Sequence, residues 1–179
     1  MGRKLDDVTG EHQVGDRVPE EGNRILSQAL SGALAGFMAT VPMSAAMKVM
    51  QMLLPWWEDY ALPPSQITTR VARLLGLEEY VDDPREHLLL TVASHFGYGT
   101  AVGTLYPLLT RRLPLPPLAR GVVYGLVIWF VSYLGWLPAM RILPPATEDP
   151  KGRNVLMITA HLIWGGGTGL LARRLELVQ

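Results

Sequence analysis

The side chains best placed to do chemistry are two histidines, His95 and His161, which both lie inside long uncharged stretches of the sequence. Each is followed by an aromatic residue and then by two glycines, in the shared pattern His-x2-aromatic-Gly-x3-Gly. Histidine changes charge near neutral pH, ligates haem iron, and hydrogen-bonds between packed membrane helices. Three interpretations are therefore open for the pair: neutral packing residues, the two axial ligands of a b-type haem, or steps of a proton or ion path.

The surroundings of the two histidines favour the packing interpretation. Glycines on the same helix face as each histidine draw neighbouring helices together, which leaves little room for a porphyrin between them. A proton path commonly includes a carboxylate inside the membrane, and none accompanies the pair. We therefore expect each imidazole to be neutral and to hydrogen-bond across a helix interface. Haem ligation by His95 and His161 is the alternative, and a proton or ion path is the third interpretation.

No other catalytic or metal-binding pattern stands out in the sequence. The absence of cysteine excludes disulfides, iron–sulfur clusters and thiolate metal sites. The run 165–167 of three glycines lacks the lysine and the serine or threonine of a phosphate-binding loop, and no nucleophile elbow occurs. The 16 basic and 16 acidic side chains cancel, which excludes a strongly basic nucleic-acid-binding protein. The sequence therefore predicts no enzyme, no metal site and no resident cofactor.

Four stretches without any charged residue account for the low charged fraction of the chain, which is 18%. They comprise residues 25–47, 88–110, 121–140 and 154–172. A helix needs about 20 mainly apolar residues to cross the hydrocarbon core of a bilayer. The positions opposite the large apolar residues hold glycine, alanine, serine and threonine, as in packed membrane helices. We therefore predict an all-α integral membrane protein with a bundle of four transmembrane helices.

The charges between these stretches predict the orientation in the membrane. The connection 111–120 has three arginines and no acidic residue, whereas the segment 78–86 is mainly acidic. Positively charged connections remain in the cytoplasm, which places 111–120 and both termini there, including the polar tail of residues 1–24. We expect a multi-pass protein of the cytoplasmic membrane whose first partner is the lipid bilayer.

The two halves of the sequence share the same elements in the same order. Segments 109–115 and 171–177 are identical at five of seven positions, a Gly-x3-Gly pair opens the first and third uncharged stretches, and Leu-Pro-Pro follows each of these two. This predicts a duplicated two-helix hairpin with parallel repeats, namely 25–115, with a surface helix over 64–75 in its outer loop, and 116–179. The glycines expected at helix contacts are Gly32, Gly36, Gly99, Gly103, Gly121, Gly125, Gly165 and Gly169.

The second half of the sequence also resembles the YagU family of bacterial inner-membrane proteins. The resemblance rests on Leu143-Pro144-Pro145, on the segment from Ala160 to Trp164, and on the pair Arg173-Arg174. That family is multi-pass, has a suggested link to acid tolerance, and has no established catalytic residues. The resemblance therefore implies a membrane protein and no active site, and the glycine-rich segment 165–169 departs from the family pattern.

These observations together predict a non-enzymatic structural or accessory protein that associates with itself or with other membrane-protein subunits. The glycine faces offer packing surfaces, and a bundle of this size is expected to leave little interior volume for a substrate. One alternative is an electron carrier that binds haem b through His95 and His161. The other is a small protein that transports protons or ions.

Overall fold

The computed structural model describes residues 17–58 and 61–178, with side chains for 21–58 and 61–176. Within these residues the chain forms helices and no strand, as predicted for an all-α protein. Residues 1–16 of the predicted polar tail lie outside the described part. The helices are α1 (Arg17–Met52), α2 (Pro63–Leu74), α3 (Glu79–Asp82), α4 (Pro84–Thr110), α5 (Pro117–Val131), α6 (Leu137–Ala139) and α7 (Lys151–Val178).

Three segments of the described chain are long and apolar enough to cross a membrane, namely Glu21–Met52, Pro117–Ala139 and Lys151–Glu176. These three segments agree with the prediction of a membrane protein. Four spans were predicted, so the described residues contain one candidate fewer than expected. The difference lies in α4, which has 27 residues and is therefore about 40 Å long. Histidine, tyrosine, serine and threonine residues occur throughout the uncharged part of α4, so that no 18-residue window in it is as apolar as those of the three segments.

The long helices form two hairpins, α1 with α4 and α5 with α7, and glycines lie at both contacts. A Cβ atom on Gly103 would lie 2.8 Å from the Cα atom of Gly36, and one on Gly165 would lie 2.8 Å from the Cα atom of Gly125. Backbone atoms cannot move aside as side chains can, so only glycine permits these approaches. In the first hairpin Gly36 packs on Gly99 and Gly103, and Gly32 packs on Gly103. In the second hairpin Gly121 packs on Gly165 and Gly169, and Gly125 packs on Gly165.

The two hairpins are joined through α1 and α7, which pack along each other. Ala35 and Ala39 of α1 are fully buried, and a Cβ atom on Gly167 of α7 would lie 3.2 Å from that of Ala39. The indole Nε1 of Trp164 donates a hydrogen bond of 3.1 Å to the carbonyl oxygen of Gly36. Small residues on both helices therefore allow α1 and α7 to pack closely, and the hydrogen bond between Trp164 and Gly36 stabilises the contact.

Helices α4 and α5 are much less closely packed, and a gap separates them. Two tyrosines bridge it. The hydroxyl of Tyr124 donates to the carbonyl oxygen of Val102 at 2.6 Å, and the hydroxyls of Tyr98 and Ser132 share a hydrogen bond of 3.0 Å. The two hairpins are thus joined tightly on one side of the molecule and loosely on the other.

The helix that begins with α5 changes its hydrogen bonding where it borders the gap. Residues Ser132–Trp136 form a π-helical turn between α5 and α6, in which the N–H of Leu137 bonds to the carbonyl oxygen of Ser132. Pro138 follows directly and cannot donate to the carbonyl group of Leu134, as a regular α-helix would require. The π turn therefore accommodates a proline while it holds Ser132 and Tyr133 at the gap.

Helix α2 packs against α4 and lies over the end of the gap nearest the loops 53–62 and 140–150. Thr68 shares a hydrogen bond of 2.9 Å with Ser94 of α4. On the other side, Arg153 of α7 donates to the side chain of Gln66 at 3.3 Å. Gly76, with a φ of 71°, ends α2 in the left-handed conformation that glycine adopts without strain.

Arg153 is largely buried and pairs with Asp149 at 3.4 Å, just before α7. Burial raises the pKa of the Asp149 carboxyl group above its usual value, and the positive charge of Arg153 opposes that rise. The pair therefore anchors the start of α7 beside α2, at the same end of the gap.

Candidate functional site

A cavity of about 200 Å³ occupies the gap between α4 and α5, and both His95 and His161 line it. Its walls come from α1, α2, α4, α7 and the α5 helix with its π turn. A bundle of this size was expected to leave little interior volume for a substrate, and the space between α4 and α5 is small. The structure therefore brings the two histidines of the repeated motif to one enclosed space.

The imidazole of His161 has a defined orientation. Its Nδ1 donates a hydrogen bond of 2.8 Å to the carbonyl oxygen of Met157, one turn earlier in α7. In the neutral ring the proton is then on Nδ1, and Nε2 carries a lone pair that can accept a hydrogen bond. The edge of the ring packs against Tyr133, with 5.9 Å between the ring centroids. His161 thus offers an acceptor held in place by its own helix.

The imidazole of His95 differs from that of His161 in its hydrogen bonding. Its Nε2 atom is buried and has no hydrogen-bond partner among the described residues. Both histidines were expected to hydrogen-bond across a helix interface, whereas His161 bonds within α7 and the Nε2 of His95 bonds to nothing described. A buried polar nitrogen without a partner costs free energy, so a ligand that hydrogen-bonds to His95 would be favoured.

The remaining walls are mainly apolar and aromatic. Most lining residues are large hydrophobic side chains, and the hydroxyl groups are those of Thr40, Ser94, Tyr98, Ser132 and Tyr133. No aspartate, glutamate, lysine or arginine is among the described residues that line the cavity. A charged ligand would find no counter-charge there, and burying an unpaired charge is costly. The cavity therefore suits a neutral molecule.

Both ends of the cavity along the helix axes are covered. At one end, Pro64 and Ile67 of α2 form part of the wall. At the other, the ring of Trp164 packs against Tyr124 at 6.0 Å, and Tyr124 packs against Tyr106 at 5.4 Å. Both tyrosines are only 4% exposed. This aromatic layer separates the cavity from the α4–α5 connection.

The cavity does not fit a haem or a common metal centre. Ligand pockets for molecules of drug size enclose about 300–1,000 Å³, and a porphyrin is at least as large as such molecules, whereas this cavity has about 200 Å³. The described residues contain no group of three or more histidine, cysteine, aspartate or glutamate residues that could hold a metal ion. The two histidines thus share a cavity that is too small for a porphyrin between them.

Sequence reasoning identified the two histidines but missed the cavity and the residues opposite them. Ser132 and Tyr133 reach the cavity through the π turn, and Met157 orients His161 through a main-chain oxygen, for which no sequence motif exists. One signal was available. When Gly36 is aligned with Gly121, the small Ala39 of α1 corresponds to the large Tyr124 of α5, which indicates that α1 and α5 pack differently against their neighbours.

Comparison with known proteins provides a family and no activity. Residues 62–168, more than half of the chain, match the model of a family described as "Protein of unknown function (DUF1440)". The matched region runs from the loop before α2 to the last third of α7 and includes both histidines of the cavity. No curated protein and no solved structure matches the chain.

Proposed function

The chain belongs to this family of proteins of unknown function, and since that membership assigns no activity, we propose from the geometry that it is a membrane protein that binds a small neutral ligand between α4 and α5. Binding occurs without catalysis. The observation that carries the proposal is the shared cavity of His95 and His161, in which one nitrogen is an oriented acceptor and another has no partner.

The size of the cavity indicates the size of the ligand. An engineered apolar cavity of about 150 Å³ binds benzene, so a cavity of about 200 Å³ suits a molecule with a single six-membered ring. The hydroxyl groups and imidazoles of the wall favour a ring with hydrogen-bonding substituents. Binding is favoured over conduction because the aromatic layer of Trp164, Tyr124 and Tyr106 closes the end of the cavity nearest the α4–α5 connection.

The test uses 4-fluorophenol as the probe and the full chain in detergent micelles, with binding followed by fluorine NMR. Val102 lines the cavity, so Val102→Phe fills it and is expected to weaken binding at least about ten-fold. The control is Leu109→Phe on the same helix, where the side chain is 65% exposed and the affinity is expected to stay unchanged. Equal binding by the wild type and both variants would contradict the proposal.

We further propose four spans, with both termini in the cytoplasm and the protein in the cell membrane. The support is that α4 packs along α1 through Gly99 and Gly103. If α1 crosses the bilayer, α4 therefore lies in the bilayer beside it. Reporter fusions after Arg112 and after Gln179 are both expected to report a cytoplasmic location, and one near Asp82 an external location. The fusions near Asp82 and after Arg112 decide the question, because both would report the same side if α4 did not cross the bilayer.

Duplication of the hairpin and kinship with the YagU family are proposed as well. The support for duplication is that Gly36 packs on Gly99 and Gly103 in the first hairpin as Gly121 packs on Gly165 and Gly169 in the second. The support for YagU kinship is the set of residues in the second half that resemble that family. A multi-pass membrane protein without assigned activity agrees with both.

A second candidate function is self-association or an accessory role in a membrane complex. The eight predicted packing glycines are engaged within the chain, so they do not offer an outer surface. A different face favours this candidate, because Ala93, Gly97 and Ala101 of α4 are exposed and, with Phe37 and Phe96, line a shallow groove. Nothing lies within 4 Å of a Cβ atom on Gly97, so a second helix could approach closely.

The absence of native cysteine makes this candidate easy to test. Gly97→Cys is expected to form a disulfide-linked dimer in native membranes under mild oxidation. Val127→Cys on α5, which is 49% exposed, serves as the control and is expected to remain monomeric. If neither variant cross-links to itself or to another protein, the accessory function loses its support.

A further inference from the structure

We propose that the ligand is a lipid-borne hydroquinone, a ring with two hydroxyl groups in para positions and a long apolar tail, which enters the cavity from the bilayer between α4 and α5. The inference rests on the proposed function, because it names the ligand of the same cavity. No chemical change of the ligand is part of it. The chain binds and releases the molecule in the reduced form.

The open side of the cavity faces the lipid. Tyr98 lines the cavity and is nevertheless 39% exposed, and Ser94 beside it is exposed as well. Both lie on α4 along the gap to α5, where the two helices have little contact. Since α2 and the aromatic layer cover the two ends, the remaining way in lies sideways, through the surface that lipid chains cover in a membrane. A ligand that is already dissolved in the bilayer can use it.

The shape of the gap separates the two parts of such a ligand. The cavity holds about 200 Å³, which suits the ring and excludes a long tail. The outer surface of α5 is apolar, with Phe130 59% and Val131 50% exposed. The tail would therefore lie among the lipid chains along these side chains, while the ring alone is enclosed by protein.

Hydrogen-bond chemistry selects hydroxyl groups on the ring. The neutral imidazole of His161 has its proton on Nδ1, bound to the Met157 carbonyl oxygen at 2.8 Å, so its Nε2 accepts a hydrogen bond and cannot donate one. A phenolic hydroxyl donates to such an acceptor, whereas a quinone carbonyl or an ether cannot. The structure therefore favours the reduced ring over the oxidised one.

A second hydroxyl group is favoured by the other histidine. The buried Nε2 of His95 has no partner among the described residues, and a ligand that pairs it removes the free-energy cost of leaving it unpaired. A hydroxyl group can donate or accept, so it satisfies either tautomer of His95. The two histidines line the same small cavity from different helices, α4 and α7, so a ring between them can offer one hydroxyl group to each.

The experiment measures binding of 2-decylhydroquinone to the full chain in lipid nanodiscs, kept anaerobic, by equilibrium dialysis against protein-free nanodiscs. The matched control ligand is its dimethyl ether, which has the same ring and tail but no donor. We expect the ether to bind at least about ten-fold more weakly, and His161→Leu to reduce the affinity for the hydroquinone to that of the ether. His87→Leu is the control variant, since His87 bonds to Thr69 of α2 and does not line the cavity.

The comparison between the two ligands needs no variant, so it holds even if His161→Leu does not fold. Equal affinities for the hydroquinone and the ether would overturn the inference. If neither decyl compound binds but 4-fluorophenol does, the inference fails and the proposed small-ligand function stands. If none of the three compounds binds, the proposed function fails with it.

Discussion

The interface between α1 and α7 and the gap between α4 and α5 are the two places where the hairpins meet, and they differ sharply. The first is closed by small residues, with Ala39 against Gly167 and the indole of Trp164 bonded to the Gly36 carbonyl oxygen. The second is spanned by tyrosine hydroxyls and holds a cavity of about 200 Å³. The same arrangement of glycines thus builds two similar hairpins that join tightly on one side only.

The difference follows from side-chain size at corresponding positions. Gly36 meets Gly99 and Gly103 as Gly121 meets Gly165 and Gly169, so that Ala39 of α1 corresponds to Tyr124 of α5. Close helix approach in membranes depends on small residues at the contact. A tyrosine therefore holds α5 away from α4, whereas an alanine lets α1 meet α7. Two hairpins that are built alike can in this way form one close interface and one open gap.

The strongest test of this comparison enlarges one side chain at the closed interface and one at the gap. Ala39→Phe introduces a ring where Ala39 is fully buried against α7, and we expect it to lower the free energy of unfolding by about 3 kcal/mol through overpacking. Ile128→Phe is the matched control, because Ile128 lines the cavity and the larger ring has space. Reversible unfolding in mixed detergent micelles measures both, and equal losses would refute the comparison.

The second test asks whether the two hairpins are alike internally. A Cβ atom on Gly103 would lie 2.8 Å from the Cα atom of Gly36, and one on Gly169 would lie 3.0 Å from that of Gly121. We expect Gly103→Ala and Gly169→Ala each to cost about 2 kcal/mol, measured in the same unfolding experiment.

The control for these two variants is on α4 itself. A Cβ atom on Gly97 meets nothing within 4 Å, so Gly97→Ala is expected to be neutral or to stabilise by up to about 1 kcal/mol through helix propensity. If Gly169→Ala lowered the free energy of unfolding much less than Gly103→Ala, the two hairpins would not be equivalent. The contrast between the α1–α7 interface and the α4–α5 gap would then have no common reference.

The smallest expected effect concerns the aromatic residues of the repeated motif. Trp164→Phe removes the donor to the Gly36 carbonyl oxygen across the closed interface, and we expect a loss of about 1 kcal/mol. Tyr98→Phe removes the hydroxyl that bonds to Ser132 across the gap, and since Tyr98 is 39% exposed we expect about half that loss. A larger loss for Tyr98→Phe would show that the gap is held as firmly as the closed interface.

Much of the architecture could be predicted from the chain alone. The uncharged stretches predicted the long helices, and the glycine spacing predicted which helix faces meet, because both depend on local periodicity. The count of spans was less secure, since α4 carries enough polar residues to lower its mean hydropathy. For the site, the pattern around His95 and His161 identified the two side chains that line the cavity but led to an expectation of hydrogen bonds between helices.

The sequence by itself determined that this protein is helical and suited to a membrane, and that two histidines recur in matching surroundings. Charge, hydropathy and the spacing of small residues act along a single helix, so they can be read without coordinates. Only the tertiary structure decided that α4 and α5 stand apart, that a π turn presents Ser132 and Tyr133 to the gap, and that Met157 orients His161. These features depend on how large side chains from different helices fit together in three dimensions, and no pattern within one helix records that fit.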